Sequence, residues 1–152
     1  MDAGWYAEIN ENWWNAVGIW NPSQSRFAPN GLLGLIDSIL SKGMIPGLWL
    51  EPEVAGIKSP LKEKPDNWFL MRNGKRIIDN SRYLLDFRNP DVRKYMSSVV
   101  ARMVKEYKAG YIKMDYNNST WGAESEGLSV GQGLLEHNRA VVEWYKEITN
   151  LY

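Results

Sequence analysis

Apolar and polar positions along this chain recur with two different periods, and the changes of period mark out its elements. Over "GLLGLIDSILSK" (Gly31 to Lys42), Leu32, Leu35, Ile36, Ile39 and Leu40 fall at helical spacing, and Gly43 is placed to stop the helix. "NPDVRKYMSSVVARMVKEYKAG" is the clearest helix. Asn89 suits the N-cap, Pro90 the first helical position, and Asp91 the positive end of the helix dipole. Val92, Met96, Val99, Val100, Met103, Val104 and Tyr107 make its apolar stripe, and Gly110 is expected to close it. A last amphipathic helix is predicted over Leu134 to Leu151. "MIPGLWLEPE" (Met44 to Glu53) reads instead as a buried strand ended by Pro52. Tyr111 to Tyr116 reads as another, and "DAGWY" (Asp2 to Tyr6) as the last part of a first. Residues Pro65 to Asn80 are predicted to form a hairpin around Asn73-Gly74, a favoured two-residue turn. "YLLDF" (Tyr83 to Phe87) is a short apolar run that periodicity leaves unassigned. Two long polar stretches remain, Glu11 to Asn30, rich in Trp and Asn, and Asn117 to Gly133, whose length suggests function or mobility.

Strand, loop and helix thus repeat about three times, which implies parallel strands with crossover helices and an α/β fold. The helix-to-strand joints are tight, at Lys42-Gly43-Met44 and Ala109-Gly110-Tyr111, while the long loops follow strands. In such folds the site lies at the carboxyl ends of the strands. Side chains alternate along a strand, so Lys113, Asp115 and Asn117 share one side, as do Trp49, Glu51 and Glu53, and as do Asp2, Gly4 and Tyr6. Each strand is therefore expected to deliver a carboxylate near its carboxyl end, a pattern that suits a glycosidase, a metal site or a sugar-binding cleft.

Sugar chemistry fits best. A retaining glycosidase needs an ionised carboxylate as nucleophile and a proton-donating acid about 5–5.5 Å away. Lys113 beside Asp115 would keep that carboxylate ionised, which suits a nucleophile; a purely structural Lys–Asp pair is the competing reading. An oxygen-only Mg²⁺ or Ca²⁺ site from Asp2, Glu51 and Asp115 is disfavoured, because Lys113 would repel the metal. No cofactor is expected. From the residues alone, Glu51 or Glu53 could be nominated as the acid.

Composition narrows the classes. A length of 152 residues suits one domain. Lys+Arg and Asp+Glu balance at 18 each, so there is no basic footprint for nucleic acid or membrane, and the small cluster of Arg72, Lys75 and Arg76 does not change this. The absence of cysteine excludes disulfides and thiolate metal sites and is compatible with a reducing compartment. His137 is the only histidine and is expected as a polar residue on a helix surface. No leader-like start or membrane span is apparent, so a cytoplasmic location is expected. The eight tryptophans could stack on sugars or simply pack the core.

At these residues the chain resembles glycoside hydrolase family 36, the bacterial-type α-galactosidases. "DAGWY" is similar to the family's Asp-Asp-Gly-Trp strand end, "GMIPGLWLEPEVAG" to its Gly-Leu-Trp-x-Glu-Pro-Glu strand, "SRYLLDFRNPDVRKY" to its Leu-Asp-x-x-x-Pro-x-Val lead into a helix, and "YIKMDYN" to its nucleophile motif. All occur in the family's order. The resemblance implies a retaining α-galactosidase acting on terminal α-galactosides of the raffinose or melibiose type, on a (β/α)₈ barrel. It makes Asp115 the nucleophile, with Lys113 and Asn117 hydrogen-bonding sugar hydroxyls and Asp2 holding hydroxyls across the ring. Arg82 matches loosely a family arginine near the sugar, and Trp49 lies on the strand that walls the pocket.

Two departures are specific to this chain. Ala3 stands where the family has its second Asp, so one contact to the sugar is expected to be missing. The family's acid/base Asp lies on a strand beyond the point this sequence reaches, and Glu51 and Glu53 do not match it. A complete barrel typically takes about 250 residues. The expectation is therefore one partial TIM-barrel domain over residues 1–152, with about three parallel strands, crossover helices and a small hairpin insertion. Such a piece is expected to be inactive alone and to self-associate through exposed sheet edges. A non-catalytic carbohydrate-binding module using Trp49, Lys113, Asp115 and Asn117, or a structural self-associating barrel fragment, are the other readings. Within enzymes, a galactosyl transferase of the same family is the close alternative.

Overall fold

The computed structural model describes residues 1–115 and 122–152. In chain order the helices are α1 (Trp13–Ala16), α2 (Gly31–Ser41), α3 (Pro90–Lys105) and α4 (Val130–Leu151). The strands are β1 (Gly47–Leu50), β2 (Val54–Gly56), β3 (Met71–Arg72), β4 (Lys75–Arg76), β5 (Ile78–Asp79), β6 (Arg82–Leu84) and β7 (Tyr111–Met114), with short 3₁₀ turns at Pro60–Glu63 and Asp66–Trp68. The class is α/β, as expected.

β1 and β7 run parallel, in register from Gly47 opposite Tyr111 to Leu50 opposite Met114. Leu48 and Leu50 are buried, so β1 reads as an apolar run because protein covers it on both faces. Among the described residues this is the parallel pair, where about three parallel strands are expected from the sequence. The predicted first strand, Asp2 to Tyr6, is a turn instead. Gly4 sits at φ +87°, and the Ala7 amide donates to the Gly4 carbonyl at 3.1 Å. Only Met1 lies along β1: its amino group donates to Gly47 O at 2.7 Å, and Met1 O accepts from Trp49 N at 3.1 Å. The apolar "GWY" that reads as strand is buried for another reason: Trp5 and Tyr6 pack edge to face against each other and against Trp20 and Tyr107.

A small antiparallel sheet, in the order β2-β6-β5, follows β1. Strands this short carry too few residues to show an alternation, so the pattern of "YLLDF" could not reveal β6. The hairpin turn is as predicted: β3 pairs with β4 across Asn73 (φ +51°) and Gly74 (φ +69°), the two left-handed positions that an Asn-Gly turn supplies, but the hairpin is shorter than Pro65 to Asn80, since Asp66–Trp68 is a 3₁₀ turn and β5 pairs with β6.

α2 spans almost the predicted range, but of its apolar stripe only Leu32 and Ile36 are buried, while Leu35 and Leu40 are exposed. α3 begins as predicted, with Asn89 Oδ1 accepting from Asp91 N at 2.8 Å. It stops at Lys105, before Gly110, and Lys108 takes a left-handed φ of +54°. Gly110 instead opens the strand, donating to Pro46 O at 2.9 Å. α4 starts earlier than predicted because Ser129 Oγ caps Gln132 N at 3.2 Å. The long segment before α2 is well tied down. Tyr95 OH donates to Gly18 O and Arg102 Nη2 to Ile19 O, each at 2.7 Å. Glu8 gathers the amides of Gln24 and Ser25, each at 2.9 Å. The Ser25 hydroxyl and these amides hold the Glu8 carboxyl down to about 2.

Gly56 marks the closest backbone approach, where β2 meets α1. A Cβ there would lie 2.0 Å from Asn15 O, within a contact that also carries the Gly56 N–H to Val17 O at 2.8 Å. Gly56→Ala is therefore expected to destabilise the fold by about 2–3 kcal/mol in urea unfolding. Gly74→Ala, which meets open space but a left-handed φ, is expected to cost only about 1–2 kcal/mol.

Candidate active site

The site forms where β1 and β7 end. Asp115 N donates to Leu50 O at 2.8 Å, so the parallel pairing continues onto Asp115. The register sets Lys113 opposite Trp49. Trp49 Nε1 then donates to Asp115 Oδ2 at 3.0 Å, and Lys113 Nζ stands 3.9 Å from the same oxygen. On its other side Lys113 reaches Asp2 Oδ2 at 3.3 Å. The chain's predicted residues Asp2, Lys113, Asp115 and Trp49 thus form one continuous line of contacts. The Ala3 amide at 2.8 Å, then Lys113, hold the Asp2 carboxyl below its ordinary value. Asn117 lies outside the described residues.

Trp49 is buried, and its N–H is directed to Asp115. Its ring stacks on Tyr6 at 6.3 Å and takes the edge of Trp13 at 6.1 Å. Trp5 Nε1 donates to Trp49 O at 2.8 Å, fixing the backbone beneath. For this residue, core packing and contact with Asp115 go together. The Asp115 side chain keeps 29% of its surface open, enough to meet a ligand.

Glu51 and Glu53 do not join this line, although strand alternation groups them with Trp49. Glu51 is fully buried and takes Arg82 Nη1 on both carboxylate oxygens, at 2.6 and 2.5 Å. Burial lifts the Glu51 carboxyl above its ordinary value, against the pull of Arg82. The Arg82 guanidinium lies 3.8 Å from the centre of the Trp14 ring. Its Nε and Nη2, and the Tyr6 hydroxyl, are buried with no hydrogen-bond partner among the described residues. Glu53 turns the other way, to His137 Nε2 at 3.2 Å. The expected convergence of carboxylates is therefore narrower than alternation implies: Asp2 and Asp115 share Lys113, while Glu51 and Glu53 each have a cationic or protonatable partner of their own.

His137 corrects the sequence reading. It is not a surface residue but 2% exposed, on the buried face of α4 with Gly133, Ala140, Val141, Trp144 and Ile148. Counting back in helical steps from Val141 and Trp144 places it there, a signal that its polar character obscured. With Glu53, Asp86 and Arg88 it forms a second polar cluster. Among the described residues, no group of three or more His, Asp or Glu could hold a metal ion, and no helix is long and apolar enough to cross a membrane.

A family model described as Melibiase matches residues 1–151. The chain belongs to the melibiase family. Among the melibiase relatives, the α-galactosidase Mel36A of Lactobacillus acidophilus is 28% identical over 99% of this chain. The α-galactosidase AgaA of Geobacillus stearothermophilus is 30% identical over 77% of it. The crystal structure of an AgaA variant in complex with raffinose superimposes on all of this melibiase chain with a TM-score of 0.81 at 27% identity. A second AgaA variant, in complex with stachyose, reaches 0.83 at 26%. The chain spans about one-fifth of these relatives: 20% of Mel36A and 21% of each AgaA structure.

The two ion pairs beside the site should respond very differently to loss of a cation. Arg82→Met leaves Glu51 buried and uncompensated and is expected to cost about 3–5 kcal/mol, most of it recovered when Glu51→Met is added. Lys113→Met removes a half-exposed partner and is expected to change stability by less than about 1 kcal/mol. Urea unfolding of the three variants measures both effects.

Proposed function

We propose that this chain carries the nucleophile side of a retaining α-galactosidase site, built on part of a (β/α)₈ barrel. The observation that carries the reading is Asp115 at the carboxyl end of β7, with one oxygen held by the Trp49 N–H at 3.0 Å and Lys113 close by. A carboxylate held this way is oriented and has a cation beside it, as attack on an anomeric carbon requires. In the proposed reaction Asp115 displaces the leaving group of a terminal α-galactoside, forming a galactosyl-enzyme ester that water then hydrolyses. Lys113 and Asp2 are placed to hold sugar hydroxyls. Arg82, assigned by its loose match to the family's arginine, is buried against Glu51 and Trp14 and backs the site without facing it, and Asn117 is assigned by its motif. Ala3 removes one carboxylate from the sugar's surroundings. The substrate class follows the relatives, two of whose structures hold raffinose and stachyose.

Double displacement also needs a proton donor. Glu51 and Glu53 are engaged by Arg82 and His137, so we place the donor outside the described residues. The same observation favours a second reading, in which the chain binds sugar without turning it over. An α-galactosyl fluoride separates the two, because fluoride leaves with little help from an acid. Incubation followed by peptide mass spectrometry is expected to find a hexosyl label on the Asp115 peptide, absent from Asp115→Asn. Turnover of an aryl α-galactoside that survives Asp115→Asn would overturn the assignment. Melibiose binding by calorimetry without any label would favour the binding module.

The proposal includes self-association. Among the described residues β7 pairs on one edge only, and beside it a cavity of about 430 Å³ is lined by Val100, Val104, Ile112, Met114, Tyr145 and Ile148. An open strand edge beside an apolar groove favours pairing with another chain. Light scattering at micromolar concentration is expected to give a mass above that of the monomer, and a clean monomer would contradict it.

A further inference from the structure

The second polar cluster has no part in the proposed chemistry, yet it joins three separate parts of the fold. His137 comes from the buried face of α4. Glu53 follows β1, two residues beyond Glu51. Asp86 and the Phe87 amide follow β6. His137 Nε2 is 3.2 Å from Glu53 Oε2; Nδ1 is 3.2 Å from Phe87 N and 3.8 Å from Asp86 Oδ1. Asp86 is also gripped by Arg88, whose Nη2 reaches Asp86 Oδ2 at 2.7 Å and Glu124 O at 2.9 Å. Glu136, the neighbour of His137 on α4, acts on Arg88 from outside. Arg93 of α3 donates to the Phe87 and Arg88 carbonyls, and Glu51 acts on Glu53 from the β1 side.

Among the groups in direct contact with one another, Glu53, Asp86, Arg88 and the ring, the charges balance when the ring is protonated. Glu53 and Asp86 bring two negative charges and Arg88 one positive charge. The Glu53 side chain is 6% exposed and that of Asp86 11%, so water cannot compensate the remainder. A neutral ring leaves one buried carboxylate charge unmatched, which is costly. A charged ring loses the Phe87 N–H as a donor to Nδ1 and must turn that proton toward Asp86. The ring therefore stands between two arrangements: one bridging Glu53 and the Phe87 amide, the other bridging both carboxylates.

We infer that His137 is a proton-operated clamp that locks α4 onto the chain segments following β1 and β6. Protonated, it ties Glu53 and Asp86 together through α4. Deprotonated, it gives up Asp86 to Arg88, takes the Phe87 N–H on Nδ1 and keeps only a neutral hydrogen bond from Nε2 to Glu53. Burial alone would push the imidazolium pKa down, but Asp86 and Glu53 outweigh it and hold it above the ordinary value of 6.5. The same pairing, with Arg88, holds the Asp86 carboxyl below its ordinary value against its burial. A group whose folded pKa is raised stabilises fully below its unfolded value, and that stabilisation is lost as pH rises through the folded one. The inference is independent of the sugar reading.

The chain contains one histidine, so its imidazole gives a single, unambiguous NMR signal. The test titrates that ring in the ¹⁵N-labelled full chain, folded and in urea, and follows urea unfolding across the same pH range. The folded midpoint is expected above the unfolded one. The wild-type folding equilibrium constant should then fall, as pH rises through that window, by about tenfold per unit of difference between the midpoints. His137→Gln should lack that component, and Glu53→Gln should lower the ring's midpoint. A folded midpoint at or below the unfolded one would overturn the clamp, as would a His137→Gln stability profile parallel to wild type. The wild-type ring titration decides the matter even where a variant does not fold.

Discussion

The parallel pairing of β1 with β7 is the constraint on which the rest of the molecule depends. It joins residues more than sixty positions apart and sets which side chains stand together at the strand ends. With Gly47 opposite Tyr111, Trp49 falls opposite Lys113, and the Trp49 indole reaches Asp115. A slip of one residue would turn every side chain of one strand to the other face and dissolve that contact. Pro46, whose carbonyl accepts from both Gly110 N and Tyr111 N just before β1, helps hold the register. So does the aromatic packing of Trp5, Trp20 and Tyr6 around Trp49.

A second theme is how the chain distributes cations among buried and half-buried carboxylates. Net charge is zero over the whole sequence, and near the site the balance is struck locally. Lys113 serves Asp2 and Asp115 together, in partial contact with solvent. Arg82 serves Glu51 in full burial, where an unmatched charge is not tolerated. Arg88 and His137 serve Asp86 and Glu53. The three groups differ in exposure, and so in what they can do. The exposed one can exchange its contacts for those of a ligand, the fully buried one is a structural rivet, and the histidine group responds to protons.

Much of this was legible in the linear pattern. The caps and apolar stripes of α2 and α3, the Asn-Gly hairpin and the motif around Asp115 are local signals. Their hydrogen bonds and packing faces lie within a few residues, so propensity and period report them. The contiguity of Asp2, Trp49, Lys113 and Asp115 was also anticipated, from alternation and from the family's motifs. The turn at Asp2 to Tyr6 was not. An apolar run of that length can be buried as a strand or as a turn packed on tryptophans, and periodicity cannot separate the two. β2 and β6 were not legible because strands so short have no period to read, and β5, which falls within the second arm of the predicted hairpin, pairs with β6 instead.

What the sequence determined by itself is the identity and spacing of the chemical groups, and the helices and turns whose stabilising contacts are local. It placed Lys113 and Asp115 on one side of a strand and set Trp49 on a neighbouring one. Only the tertiary structure decided which partner each carboxylate takes. Glu51 and Glu53 share a strand side with Trp49, yet one is drawn to Arg82 and the other to His137. The physical reason is desolvation: a carboxylate buried with the core must find a cation or a donor wherever the fold brings one, and that depends on contacts far apart in sequence.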